Sequence, residues 1–282
     1  MRILITGRGT SGSWQIRGAQ LGAAIGATVK QGVTVADCRS ADVVVVVKRA
    51  TPETLAALRT AGTPWAFDAL DFYPQPQCGT WSRATSIAWV RDKLEHYRPT
   101  AVVWPNQKMR EDCDTGLPGI VLRHHHRPGI RVNPIRDRVQ AIGYEGAPAY
   151  VEAWRSAIER ECARRGWRFV ANPQHLADLD IVLALRGGQW AGYVSRHWKS
   201  AVKLANAHAS GTPFVGQQEC GYMETATGCE YWAEDAASLR TSLDWLTPHD
   251  NREMISQRFL QQAYPVAQAA KDLAEFLCCV VR

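Results

Sequence analysis

The run Ala41-Asp-Val-Val-Val-Val-Val47 constrains the fold more than any other stretch. Five consecutive β-branched residues disfavour a helix, and as a strand they are apolar on both faces. Such a strand belongs in the middle of a parallel sheet covered by helices on each side. Parallel neighbours need crossover connections, so strands and helices must alternate around this run. They do. Residues 3–6 read as a short strand, Gly7-Arg-Gly9-Thr-Ser-Gly12 as a glycine loop, and residues 13–25 as a helix. A second strand is expected at 27–31, and Thr51-Pro52-Glu53 starts a helix that ends near Gly62. Residues 64–67 are the next strand, with Asp68 and Asp71 at its C-terminal end. A helix over 83–97 and strands at 101–104 and 120–122 lead to Arg123-His-His-His126.

Pro128-Gly129 and Asn133-Pro134 bracket a linker, after which the alternation restarts. Strands are expected at 139–144, 168–171 and 180–185, with a helix over 147–165 and another over 239–246 capped by Ser238. A long C-terminal helix is interrupted at Pro265. The reading is α/β with two Rossmann-like domains: 1–130, joined by a C-terminal helix at 265–282, and 131–264. A chain of 282 residues accommodates two such units.

Chemistry concentrates between Arg186 and Glu224. Arg186-Gly-Gly-Gln-Trp-Ala-Gly-Tyr-Val-Ser-Arg-His-Trp-Lys199 is a flexible, cationic approach to a helix that Gly211 stops, with Pro213 two residues on. Along that helix Lys199, Lys203, Asn206 and Ser210 form one polar stripe on an otherwise apolar surface. Helix N-termini carry unpaired N–H groups and partial positive charge. With Arg196, Lys199 and Lys203 near that end, the segment suits a diphosphate.

The run Lys203-Leu-Ala-Asn206-Ala-His-Ala-Ser-Gly211-Thr-Pro213-Phe-Val resembles the nucleotide-sugar segment of GT-B glycosyltransferases. The resemblance implies two facing Rossmann-like domains, a kinked last helix crossing back to the first, and a nucleotide-sugar donor in the second. It implies no bound metal and no cofactor beyond the donor. Many relatives carry a glutamate where Asn206 stands and another where Trp198 stands. This chain looks closer to variants with a helix lysine and glutamates after the strand, here Glu219 and Glu224, whose expected contacts are ribose or sugar hydroxyls. The donor set is thus Arg186, Arg196, Lys199, Lys203, Asn206, Glu219 and Glu224, with Gly9 from the glycine loop.

If configuration inverts, a base must take the acceptor's proton. Asp71 is the first choice and Asp68 the second. Ser11, Trp14, Arg123 and His125 are the acceptor-side candidates. Net charge +6 and a pI near 8.9 favour anionic partners. Arginines and tryptophans recur together at Arg8, Trp14 and Arg17, at Trp81 and Arg83, and from Trp104 to Arg110. Cations among aromatics suit phosphates and an extruded base. In this the chain resembles viral DNA glycosyltransferases, which implies a hydroxymethylated pyrimidine in duplex DNA as acceptor. A polysaccharide or small molecule is the alternative.

Other classes fit less well. Gly7-x-Gly9-x-x-Gly12 spells a dinucleotide fingerprint, but the second strand ends in Lys30-Gln31 where a ribose-binding acid belongs, and Asp37 comes later. That disfavours an NAD(P)-dependent oxidoreductase. A non-catalytic nucleotide or nucleic-acid binding module is the third class. Three consecutive histidines rarely share a metal, and Asp178-Leu-Asp180 reads as a turn entering a strand. Eight cysteines without a Cys-x-x-Cys pair read as reduced thiols. Strand residues follow Met1-Arg2 directly, and no apolar run nears the ~20 residues of a membrane span. A cytoplasmic monomer without membrane contact is expected.

Overall fold

The computed structural model describes residues 1–281. In the first sheet β1 (Ile3–Gly7), β2 (Thr28–Val29), β3 (Val43–Val47), β4 (Trp65–Asp68), β5 (Ala101–Trp104) and β6 (Gly119–Val121) lie in the order β2-β1-β3-β4-β5-β6. Every pairing is parallel. The valine run is internal, and its alternation divides the core in two. Val43, Val45 and Val47 pack with Ile3, Ile5 and Leu273, whereas Val44 and Val46 pack with Leu4, Leu58 and Phe67. All five valines are buried, each worth about 1.5–3 kcal/mol in apolar burial.

Helices α1 (Leu21–Ile25), α2 (Val35–Arg39), α3 (Pro52–Ala61), α4 (Arg83–Tyr97) and α5 (Gln107–Cys113) cover this sheet. A π-helical stretch, Trp14–Gln20, leads into α1. The second sheet is also parallel, in the order β11-β10-β9-β7-β8. Its strands are β7 (Ala141–Tyr144), β8 (Arg168–Ala171), β9 (Ile181–Ala184), β10 (Phe214–Gly216) and β11 (Tyr231–Trp232). After β9 come α7 (Tyr193–Trp198) and α8 (Val202–Ser210), and the second half also holds α6 (Arg155–Arg165), α9 (Cys220–Met223), α10 (Ala236–Trp245) and α11 (His249–Gln262). The chain bends at Pro265, and α12 (Val266–Val281) lays Ala269, Ala270, Leu273 and Leu277 on the first sheet's core. This is the GT-B arrangement.

Three local expectations change. Strand β2 shrinks to two exposed residues, and Asp37 forms a capping box with Thr34 at the start of α2. The helix expected over 147–165 begins at Arg155, after two short 3-10 turns that open with Pro148. Helix α10 starts before Ser238, because Asp235 is its cap: its carboxylate accepts from the Ser238 N–H, and Ser238 Oγ accepts from the Asp235 N–H.

Helix α7 belongs to the second half of the chain but packs into the first domain. Val194 and Trp198 join the core that holds Phe67, Cys78 and Met109. Buried Asp112 anchors it, accepting from Trp198 Nε1 at 2.9 Å and from the Tyr193 hydroxyl at 2.6 Å. On the other oxygen Asp112 meets Arg83 and Lys108 at 2.8 and 2.9 Å.

Candidate active site

Parallel strands place their following loops on one edge, and two such edges face each other here. The first domain contributes the loop after β1 (Ser11, Gly12, Ser13), Lys48 and Arg49 after β3, Asp71 and Tyr73 after β4, and His124 after β6. The second contributes Tyr150, Arg186 after β9, and Lys199, Ser200 and Lys203 around the start of α8. They enclose a cleft of about 410 Å³. Lys48 (φ 66°) and Asp71 (φ 48°) both adopt left-handed backbone, which costs a non-glycine residue of order 1–3 kcal/mol. Strain at two positions of one cleft marks the place where the fold aims side chains.

The second-domain wall is cationic and buried. Arg186 leaves 3% of its surface exposed, Lys203 8% and Lys199 9%. Arg186 Nε donates to Glu219 Oε1 at 2.6 Å, so burial opposes its charge but Glu219 more than restores it. Lys203 has no carboxylate within ion-pair distance among the described residues; its Nζ lies 5.1 Å from the Tyr144 ring centroid. Burial first, then repulsion from Arg186 and Lys199, lowers it to about 7. Helix α8 opens beside it with no side-chain cap, so its first N–H groups and dipole face the same space. An unpaired buried ammonium beside a bare helix start lacks a counter-charge, and an anion supplies it.

The first-domain wall holds Asp71 and His124. Asp71 lies 3.3 Å from Lys199 Nζ and accepts from the Tyr73 hydroxyl at 3.2 Å. Burial would raise the Asp71 carboxyl, but Lys199 and Lys48 lead the charges that outweigh it and hold the group well below the usual range. His124 is pushed down to about 4, by burial first and then Arg17, so it is neutral. Its Nδ1 lies 2.7 Å from the His125 carbonyl, which can only accept, so Nδ1 carries the proton and Nε2 the lone pair.

Of the residues expected from sequence, the structure brings Asp71, Arg186, Lys199, Lys203 and Ser11 to the cleft, with Glu219 directly behind Arg186. The others are elsewhere. Asp68 is buried under the sheet edge, 3.3 Å from buried Arg17, and accepts from the Leu70 N–H; it cannot reach an acceptor. Asn206 ties the linker instead, accepting from the Arg127 N–H and donating to Glu145, both at 2.8 Å. Glu224 caps α5 of the first domain, accepting from the Gln107 and Lys108 N–H groups at 2.7 and 3.1 Å. Arg196 points outward, 3.6 Å from Glu234. Gly9 (φ 82°) makes the turn and accepts from Gln31, while Ser11 to Ser13 line the cleft.

On the acceptor side Trp14 packs over Gly7 and Gly18, where any Cβ would strike its ring. His125 is fully buried against the Ile16 carbonyl. Arg123 is exposed beside a small hollow at the domain hinge. Lys48, Arg49, Tyr73 and Tyr150 were not among the expected residues, and His124 was expected at the cleft only as part of the turn from His124 to Arg127. His124 had one legible signal: in an extended triplet, neighbours point opposite ways. Among the described residues no three His, Cys, Asp or Glu side chains gather as metal ligands. Asp180 accepts from the Gln140 and Ala141 N–H groups and pairs with Arg136. No described helix is long and apolar enough to cross a membrane.

The architecture recurs in solved structures. A glycosyltransferase involved in avilamycin A biosynthesis, AviGT4, superposes with a TM-score of 0.60 at 12% identity, covering 100% of this chain and 98% of that one. Anabaena HepE in complex with UDP-glucose gives 0.64 at 11% identity, over 99% of this chain and 100% of that one. The UDP-GlcNAc 2-epimerase from Neisseria meningitidis, bound to UDP-GlcNAc, gives 0.55 at 11% identity, over 99% of this chain and 100% of that one. Identity this low shows the shared fold. No protein-family model matches the chain, and no curated protein matches its sequence.

Proposed function

We propose that this chain is a glycosyltransferase that moves a sugar from a nucleotide-sugar, of the UDP-glucose type, to an acceptor hydroxyl. The observation that carries the reading is Lys203, buried and with no carboxylate partner among the described residues, beside Arg186 and the uncapped start of α8. The leaving diphosphate is the anion that completes this site. The UDP-glucose bound by the Anabaena protein of the same fold supports the donor class.

In the reaction the acceptor oxygen bonds to the anomeric carbon as the bond from that carbon to the diphosphate oxygen breaks. The electron pair leaves with the diphosphate, and the acceptor proton passes to Asp71. At rest Asp71 is a weak base because Lys199 holds it. A bound diphosphate competes for Lys199, loosens that pair and raises the basicity of Asp71, so donor binding readies the base. His124 Nε2 accepts a hydrogen bond from a substrate hydroxyl and orients it.

A second reading takes a 5-hydroxymethylated pyrimidine in duplex DNA as acceptor, favoured by exposed Arg8, Arg49 and Arg123 on the first domain. Its aromatic part falls away, since Trp14 and Trp104 are packed into the protein. The test is release of nucleoside diphosphate from UDP-glucose with acceptors of each kind. Radiolabel transferred to hydroxymethylcytosine DNA, with binding that weakens steeply with salt, selects the second reading. Interconversion of the nucleotide-sugar with no transfer would overturn both readings and point to an epimerase.

A further inference from the structure

The first-domain wall carries positive charge of its own. Lys48 and Arg49 follow β3 directly and line the cleft opposite Arg186 and Lys203. The diphosphate answers the second wall's cations, and Lys199 already faces Asp71. Among the described residues neither Lys48 nor Arg49 has a carboxylate within ion-pair distance. Lys48 Nζ has only Ser13 Oγ, at 3.4 Å. Its left-handed backbone, φ 66°, carries an energetic cost that charge repulsion across the cleft does nothing to offset. Ser11, Gly12 and Ser13 complete the hollow with two hydroxyls and no bulky side chain. Ser13 also begins the helical stretch without capping it.

Resting on the glycosyl-transfer reading, we propose that the acceptor is a small molecule bearing a phosphate monoester, gripped by Lys48, Arg49, Ser11 and Ser13 while its hydroxyl faces Asp71. A lysine point charge, an arginine fork and hydroxyl donors match the three terminal oxygens of a phosphate. A planar carboxylate leaves part of that donor set without partners.

The experiment compares glucose, glucuronate and glucose 6-phosphate on the full chain, both as acceptors with UDP-glucose and as ligands of the UDP-bound protein by calorimetry. Glucose 6-phosphate is expected to bind, inorganic phosphate to compete with it, and the variant K48M/R49M to weaken that binding roughly 10-fold to 100-fold. The same variant should cost UDP-glucose binding clearly less than it costs glucose 6-phosphate binding, which separates this inference from the donor reading. Loss of UDP-glucose binding in the wild type sinks the donor reading itself. Equal binding of glucose or glucuronate overturns the acceptor inference, as does glucose 6-phosphate binding untouched by K48M/R49M. A duplex oligonucleotide that engages Lys48 and Arg49 while sugar phosphates do not would overturn it in favour of DNA.

Discussion

The two walls of the cleft hold positive charge in opposite ways. The second wall buries it: Arg186, Lys199 and Lys203 are each at least nine-tenths covered, set by α8 and by Glu219 behind them. The first wall leaves Lys48 part-exposed and Arg49 exposed on a strained turn. Buried cations are preorganised and discriminate strongly, because a site without its anion is penalised. Exposed cations adapt and are screened. On the proposed reading, the contrast suits the diphosphate on the second wall and a phosphate-bearing acceptor on the first.

A sharper form of the comparison lies within the first domain, between two carboxylates three residues apart. Asp71 faces the cleft and Asp68 faces Arg17 inside the protein. The largest effect is expected at Asp71. Asp71→Asn keeps the shape and removes the base, so turnover should fall by about 10²–10⁴-fold with UDP-glucose affinity retained. Steady-state kinetics beside calorimetry measures both. Unchanged turnover would assign the proton to another group or make the reaction retaining.

Asp68→Asn should do the reverse. It strips the counter-charge from a fully buried guanidinium, and breaking such a pair costs about 3–5 kcal/mol of folding stability. Urea unfolding should show that loss, while kcat per folded molecule changes little. A stable Asp68→Asn protein with impaired turnover would put Asp68 back among the catalytic candidates.

These two aspartates show where sequence reading stopped. Periodicity carried the fold far, because a strand apolar on both faces admits few architectures, and the Gly211-Thr-Pro213 stop located α8 and its lysines. Direction was not legible. Asp68 ends β4 and Asp71 lies just after it, with left-handed backbone at Asp71 alone of the two. Asn206 and Glu224 are polar at plausible spacings but serve contacts between the halves, with Arg127, Glu145 and the start of α5. Trp198 fills the first domain's core and donates to Asp112. Such contacts join residues 61 or more apart in sequence, and no local pattern announces them.

On the second wall the expected effect is smaller than at either aspartate. Lys203→Met keeps most of the packing and deletes the charge, and UDP-glucose affinity should drop by ~1.5–3 kcal/mol, the range for a charged hydrogen bond. Arg186→Ala should cost a similar amount and also strand Glu219. Arg196→Ala, on the outer face, should leave donor affinity alone. Titration calorimetry decides, and wild-type affinity in Lys203→Met would remove Lys203 from the donor site.

The mildest test is pH, and it distinguishes the buried wall from the exposed one. Lys203 falls from 10.5 to about 7 in the ligand-free protein, through burial and then repulsion from Arg186 and Lys199. A bound diphosphate stabilises the ammonium and returns the pKa upward. Binding therefore takes up a proton whenever the free protein holds Lys203 neutral, which is above about 7. The diphosphate diester of UDP-glucose has no proton that titrates near neutrality, so the change belongs to the protein. Affinity should be flat below that point and weaken above it, approaching tenfold per unit at the steepest. Folding stability moves the other way. Between about 7 and 10.5 the unfolded chain binds more protons at this lysine than the folded one, so the ligand-free protein gains stability as pH rises. Lys203→Met should flatten both curves, whereas K48M/R49M should leave both slopes in place. A pH-independent wild-type affinity would mean that the diphosphate sits away from Lys203, and would break the assignment of the buried wall to the donor.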